Sequence, residues 1–181
     1  MSTNEEKTII QGLQDNSTRR QAFEWIVRQY NQQLYWQIRR MVFSHDDAND
    51  ILQNSFIKAW LNIEQFRGDS KLSTWLYRIT LNETLNFLQR QKEQTSLDSP
   101  EGSIANQLAS DPYFDGDETD RQLQEAISQL PDKQRAVFTL KYYKDMKYED
   151  MSQILDTSVG ALKASYHHAV KKICDFFNAI D

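Results

Sequence analysis

Two stretches of this 181-residue chain carry side chains suited to holding a polyanion. Between positions 66 and 90, aromatic, basic and amide groups interleave: Phe66, Arg67, Lys71, Trp75, Tyr77, Arg78, Asn82, Asn86 and Arg90. Aromatic faces stack unpaired bases while Arg and Lys track the backbone, an arrangement expected for single-stranded nucleic acid. The same spacing also describes the inward stripe of a helix, so Trp75 and Leu76 are core candidates too. The second stretch is VGALKASYHHAVKK, with Lys163, His167, His168, Lys171 and Lys172 and no acid until Asp175. The segment before it carries Glu149 and Asp150, so positive charge is segregated onto one element that could face phosphate. An ordinary helix pair with a solvated basic face has the same pattern.

The elements that position these groups read as helices throughout. Phe23, Ile26, Val27, Tyr30, Leu34, Ile38, Met41 and Val42 fall at three-to-four spacing and mark one long amphipathic helix. Asp46 or Asp47 can cap a second, whose stripe is Ala48, Ile51, Leu52, Phe56, Ala59, Trp60 and Ile63. FRGDSKLS breaks it, and a third runs from about Thr74 to Gln91. Further on, Gln122–Leu130 is stopped by Pro131, which opens a helix through Tyr143. A short helix Tyr148–Leu155, the turn Asp156-Thr157-Ser158 and a last helix from Val159 to about Asn178 complete the chain, with Ser158 as N-cap. Short helix, tight turn and longer helix make a helix-turn-helix, whose second helix enters the DNA major groove.

The net charge of −5 speaks against nucleic acid until it is partitioned. Residues 1–16 carry −2, residues 17–95 carry +3, residues 96–120 carry −7 and residues 121–181 carry +1. The acidic stretch, SLDSPEGSIANQLASDPYFDGDETD, also holds two of the three prolines and two of the five glycines, and lacks an apolar period. It reads as a flexible linker. The expectation is an all-α chain: an N-terminal tail at 1–16, a helical domain at 17–95, the linker at 96–120, and a helix-turn-helix domain at 121–181. A single cysteine, Cys174, excludes a disulfide framework and fits a reducing compartment. No window approaches 18 apolar residues and no signal pattern opens the chain, so the reading is cytoplasmic without membrane insertion.

Enzymatic alternatives are weak. Asp46-Asp47-x-x-Asp50 superficially matches a magnesium–diphosphate motif, but no second Asp cluster accompanies it, and caps and surface acids explain it. Asp111-x-x-x-Asp115-Gly116 has Tyr113 and Gln122 where a calcium loop needs oxygen ligands. His167, His168 and Cys174 lack zinc spacing, and no nucleophile–base set converges. No cofactor is expected. A stand-alone dimeric helix-turn-helix regulator is the rival, with only Ile173, Phe176, Phe177 and Ile180 to dimerise through.

Two longer blocks narrow the reading. DDANDILQNSFIKAWLNIEQFRGDSKLSTWLYRITLNETLNFLQRQK resembles region 2 of bacterial RNA polymerase sigma factors of the extracytoplasmic-function (ECF) group. LQEAISQLPDKQRAVFTLKYYKDMKYEDMSQILDTSVGALKASYHHAVKKI resembles their region 4, and the two follow the family's order. The resemblance implies two helical domains without enzymatic activity, bound to core RNA polymerase and promoter DNA and commonly to an anti-sigma factor. It implies that Asp47, Asp50 and Gln53 contact the β′ clamp, with Ile51, Phe56 and Trp60 as core. It implies that Phe66, Arg67, Asp69, Ser70 and Lys71 lie in the loop capturing a base flipped from the −10 element. Trp75, Tyr77, Arg78, Asn82 and Asn86 match the helix lining that strand. Ser158, Val159, Ala161, Lys163, Ala164, Ser165, His167, His168 and Lys171 match the −35 reader, in the region that also meets the β flap.

The physics agrees with that implication. Stacking of about 1–3 kcal/mol per base is comparable with the few kcal/mol needed to flip one. A linker of about 25 residues spans roughly 25–30 Å as a coil and about 80–90 Å extended. Elements a couple of turns apart, at about 34 Å per turn, would need it nearly taut. Three arginines usual in the family's recognition helix are Ser165, His168 and Val170 here, and the usual turn glycine is Asp156, a residue that tolerates the left-handed region. Fewer phosphate contacts predict weak binding by the free protein, with a shallow salt slope.

Overall fold

A computed structural model describes residues 3–66, 68–95 and 118–180. Among these residues the helices are α1 (Thr3–Gln14), α2 (Arg19–Val42), α3 (His45–Leu61), α4 (Leu72–Thr95), α5 (Glu118–Ser128), α6 (Asp132–Lys144), α7 (Tyr148–Leu155) and α8 (Val159–Ile180). A 3-10 turn at Ile63–Gln65 joins α3 to the loop before α4. The linker and the Asp111–Gly116 stretch lie outside the described residues, except that Glu118–Asp120 already belong to α5.

The expected N-terminal tail is instead the helix α1. Ile9, Ile10 and Leu13 give it an apolar edge that packs onto α2, and Leu13 is buried. Three apolar residues within five positions are too short a period to stand out in sequence, yet they suffice once α2 supplies the opposing surface. Helix α3 starts two to three residues earlier than expected: Ser44, not Asp46 or Asp47, is the N-cap, its Oγ accepting from the Asp47 N–H at 3.3 Å. Pro131 sits at the cap of α6 rather than inside it.

Helices α2, α3 and α4 pack around Ile26, Leu34, Ile38, Met41, Leu72, Leu76 and Leu81, all at most 2% exposed. The halves do not stand apart: α7 and α6 lie against α4, and α6 lies against α2. One apolar core therefore includes Ala136, Val137, Leu140, Met151, Ile154 and Leu162 from the C-terminal half. A second cluster of Ala126, Ile127, Leu130, Phe138, Ala169 and Ile173 takes in Phe43 from the α2–α3 joint. Phe43 adopts φ 61°, rare for a bulky residue, and closes α2 with its N–H on Arg39 O at 3.0 Å.

The seam between the halves is polar at its centre. Gln37 Nε2 donates to Thr139 Oγ1 at 2.9 Å, and Arg135 Nη1 donates to Met41 O at 2.7 Å. At its edges Lys71 pairs with Asp150 at 3.2 Å and Lys92 with Asp132 at 2.7 Å.

Candidate nucleic-acid interface

The first surface is the loop between the 3-10 turn and α4, with the outer face of α4. Phe66 and Trp75 close the loop's base, ring centroids 5.0 Å apart and both nearly buried. Gly68 takes φ 79°, a conformation a side chain would strain. Asp69 and Lys71 are exposed and Ser70 is half-buried, while Arg67 lies outside the described residues. Along α4, Arg78, Asn82 and Asn86 recur every fourth residue and are all exposed, forming one polar stripe.

The aromatic residues expected to share that stripe turn the other way. Tyr77 is 4% exposed, facing inward near Tyr30 and Arg40; burial pushes its phenol pKa up to about 12. The reason is helical geometry: Tyr77 sits about 100° from Arg78, on the side that covers apolar area. Trp75 is likewise core-facing, the alternative that its spacing left open.

The second surface is the helix-turn-helix. Asp156 ends α7 in the left-handed conformation, φ 49°, which Asp adopts more readily than most residues. Ser158 Oγ accepts from the Ala161 N–H at 3.3 Å and Ser158 O from Leu162 N–H at 3.0 Å, which caps α8. Leu162, Ala169 and Ile173 face the core. Ser158, Ala161, Lys163, Ala164, His167, His168 and Lys171 are exposed, whereas Val159 and Ser165 are half-buried. Lys163 Nζ lies 5.7 Å from the Tyr148 ring centre, which holds the cation at the edge of the exposed face. In the apolar tail of α8, Ile173 is buried and Phe176 and Phe177 cover the second cluster, whereas Ile180 is 49% exposed.

A third surface runs along α2 and α3. Asp50 and Gln53 are exposed and line an open groove of about 590 Å³ with Phe23, Leu52, Phe56 and Trp60, while Asp47 is half-buried. Trp60, expected in the core, is 40% exposed: in the last turn of α3 it meets Phe23 edge-on at 5.1 Å and leaves its other face to the groove. Ile57 and Leu61, 50% and 71% exposed, extend this apolar strip. Sequence reasoning missed both. The available signal was their position off the buried stripe of α3, which leaves an apolar side chain no place but the surface.

The three surfaces meet unequally. Lys71 of the loop touches Asp150 of α7, so the first surface abuts the helix-turn-helix. Among the described residues no group of three or more His, Cys, Asp or Glu could hold a metal ion, and no helix is long and apolar enough to cross a membrane.

Comparison with known proteins gives two family matches in chain order: Sigma-70 region 2 over residues 26–94, and Sigma-70, region 4 over residues 120–173. The chain is 34% identical to the ECF RNA polymerase sigma factor SigW of Bacillus subtilis over 171 residues, covering 89% of this chain and 88% of that protein. It is 28% identical to the ECF RNA polymerase sigma-E factor of Haemophilus influenzae over 178 residues, 93% of each. Among solved structures, CnrH in complex with the cytosolic domain of CnrY matches with TM-score 0.71 at 20% identity, over 97% of this chain and 99% of that one. The sigma factor RpoE in complex with the anti-sigma factor NepR from Bartonella quintana matches with TM-score 0.71 at 22% identity, over 86% of this chain and 96% of that one. These two likenesses bear on the fold.

Proposed function

The chain belongs to the ECF group of RNA polymerase sigma factors, and from that premise we propose which of its residues perform each part of the work. As a sigma factor it is not an enzyme; it directs promoter recognition and strand opening at transcription initiation. The proposed division is an N-terminal tail at 1–16 that carries α1, residues 17–95 as region 2, the acidic linker at 96–120 and residues 121–181 as region 4. Promoter opening requires no bond chemistry, only tighter binding to unstacked bases than to duplex.

Asp47, Asp50 and Gln53 dock on the β′ clamp, and the apolar strip beside them supplies the buried area that three polar contacts lack. Support comes from the exposure of Asp50, Gln53, Trp60, Ile57 and Leu61 along one groove. An anti-sigma factor that covered this groove would block core binding. RpoE of Bartonella quintana is seen with the anti-sigma factor NepR, and CnrH with the cytosolic domain of CnrY. The loop from Phe66 to Lys71, Arg67 included, captures a base flipped from the −10 element. The exposed Asp69 and Lys71 of the loop and Arg78, Asn82 and Asn86 of α4 meet the strand, Phe66 and Trp75 form the base of the loop, and Tyr77 supports α4 from the core side. The face of α8 from Ser158 to Lys171 reads the −35 element, and region 4 meets the β flap. Cytoplasmic location and a stress- or envelope-responsive regulon complete the proposal.

One observation carries most of this assignment: a capped α8 that turns its apolar residues inward and presents Lys163, His167, His168 and Lys171 together. The test is promoter-dependent transcription after adding the protein to core RNA polymerase. Failure to form a stable complex with core overturns the polymerase-surface assignment. A stable complex in which His167, His168 and Lys171 are replaced without effect on −35 capture overturns the reader assignment.

A further inference from the structure

The start of α4 is fixed from outside its own segment. The carbonyl of Lys71 accepts the Trp75 N–H at 3.1 Å, which makes Lys71 the cap position of α4. A lysine has no side-chain acceptor for the exposed N–H groups of a helix's first turn. Instead, Oε1 of Glu6, 66 residues upstream on α1, accepts the Leu72 N–H at 2.6 Å. Leu72 is fully buried, so its N–H depends on a protein acceptor, and a carboxylate there also meets the positive end of the helix.

Glu6 is one of three ties between α1 and this loop. Ile10 lies beside Gly68, its Cδ1 and Cγ2 3.9 and 4.0 Å from where a side chain at Gly68 would begin. At the end of α1, Arg19 donates from Nε to Leu13 O at 2.9 Å and from Nη1 to Glu64 Oε1 at 2.7 Å. The loop is thus gripped before it begins, at its left-handed glycine, and where it re-enters a helix. Each grip comes from α1 or its joint to α2.

We propose that α1 is part of the strand-opening apparatus and that Glu6 is a positioning residue, holding the α4 start so that the Phe66–Lys71 loop keeps the shape that accepts an unpaired base. This rests on the reading of that loop as the base-capture element. Glu6 acts through Leu72 and the loop backbone and touches no DNA itself. A cavity of about 720 Å³ lined by Glu6, Trp25, Gln29, Tyr30, Gln33 and Lys71 adjoins the carboxylate, leaving room for an amide in its place. Glu6→Gln therefore retains an acceptor oxygen for Leu72 N–H, whereas Glu6→Ala retains none.

The test uses the full chain bound to core polymerase on a promoter carrying 2-aminopurine in the −10 element. Fluorescence rise reports unstacking; core affinity and capture of the closed duplex are measured beside it. Glu6→Ala should slow opening about five- to tenfold, the scale of a lost helix cap, with core affinity and duplex capture within twofold of the parent. Glu6→Gln should recover opening to within about threefold. Equal loss in all three readouts for Glu6→Ala, or no recovery with Glu6→Gln, overturns the positioning role. Asp69→Ala separates this from the underlying reading. If Asp69→Ala slows opening and Glu6→Ala does not, the inference fails while base capture stands; if neither does, base capture itself fails.

Discussion

Removing the guanidinium of Arg135 should unfasten the two halves of the molecule together. Its side chain is nearly buried, with Nη1 on Met41 O at 2.7 Å and Nη2 on Ser128 O at 2.6 Å and Leu130 O at 3.2 Å. Its ring partner is Phe43, 5.2 Å away. One fork therefore satisfies the last turn of α2 and the end of α5 at once. Arg135→Met keeps the apolar stem and strands three acceptors. Each bond to a charged donor contributes about 1.5–3 kcal/mol, but the guanidinium is itself partly starved of water, and its burial lowers its pKa against the opposing pull of Asp132. That cost offsets part of the gain and leaves a net loss of about 3–5 kcal/mol. For a chain of this size each kcal/mol moves the melting point by about 2–4 °C, so the expected fall is about 6–20 °C. The chain offers a probe of where the loss falls: Trp25, Trp36, Trp60 and Trp75 all lie in the N-terminal half, while Arg135 lies in the other. Tryptophan fluorescence and far-ultraviolet dichroism should shift together in a denaturant titration. A dichroism transition that moves while the tryptophan transition stays, or a loss under about 1 kcal/mol, would refute the bridge.

Asp156→Gly should raise the melting point by a few degrees, because it relieves about 1 kcal/mol of left-handed strain at φ 49°; calorimetry checks it, and a fall means that the side chain is engaged. Tyr77 titrates at about 12 in the folded protein against about 10 unfolded, so the unfolded chain gives up its proton first as pH rises. Stability from this group is complete below pH 10 and drains away between about 10 and 12; Tyr77→Phe should flatten that alkaline decline in urea titrations across pH 9–12. Lys163→Ala should weaken promoter binding by the polymerase complex similarly across −35 sequences and reduce the salt slope by about one, measured by fluorescence anisotropy. A loss confined to one −35 base pair would make Lys163 a base reader instead.

Most of the fold was legible because helical period and caps are local. The stripe from Phe23 to Val42, the Pro131 break and Ser158 as cap of α8 all follow from neighbours within four residues. What escaped is what depends on distant surfaces. Helix α1 is short of apolar residues and forms against α2; Ser44 outcompetes Asp46 and Asp47 because cap choice depends on where the preceding backbone turns, here at Phe43. The polar stripe of α4 was legible, but its aromatics were counted on the same face although Trp75 and Tyr77 point inward. The composition of the linker suggested two separate domains. It carried no information about α6 and α7 packing onto α2 and α4, since Ala136, Leu140 and Met151 look the same whether they bury within a domain or across a seam.

That seam has a consequence for function. Lys71 of the loop lies 3.2 Å from Asp150 of the helix-turn-helix, so if the two surfaces read promoter elements as proposed, a couple of turns apart at about 34 Å per turn, the halves must separate to reach both. Opening the seam breaks the Arg135–Met41 bond and exposes the shared apolar core, but polar atoms that the seam leaves unpaired offset part of that cost. Among the described residues Gln37 Oε1 and Arg135 Nε are buried there without hydrogen-bond partners, and opening gives both to water. Gln37 and Thr139 form its central polar pair at 2.9 Å, and replacing both partners of such a pair with apolar groups of similar shape is neutral or stabilising. The double variant Gln37→Leu with Thr139→Val should therefore melt no lower than the parent yet bind core polymerase more slowly, because the closed form has been favoured over the open one. Stopped-flow association with core measures the rate and calorimetry the stability. Unchanged stability with unchanged association would mean that the seam opens before the polymerase arrives, and that closure exerts no control over the readers it brings together.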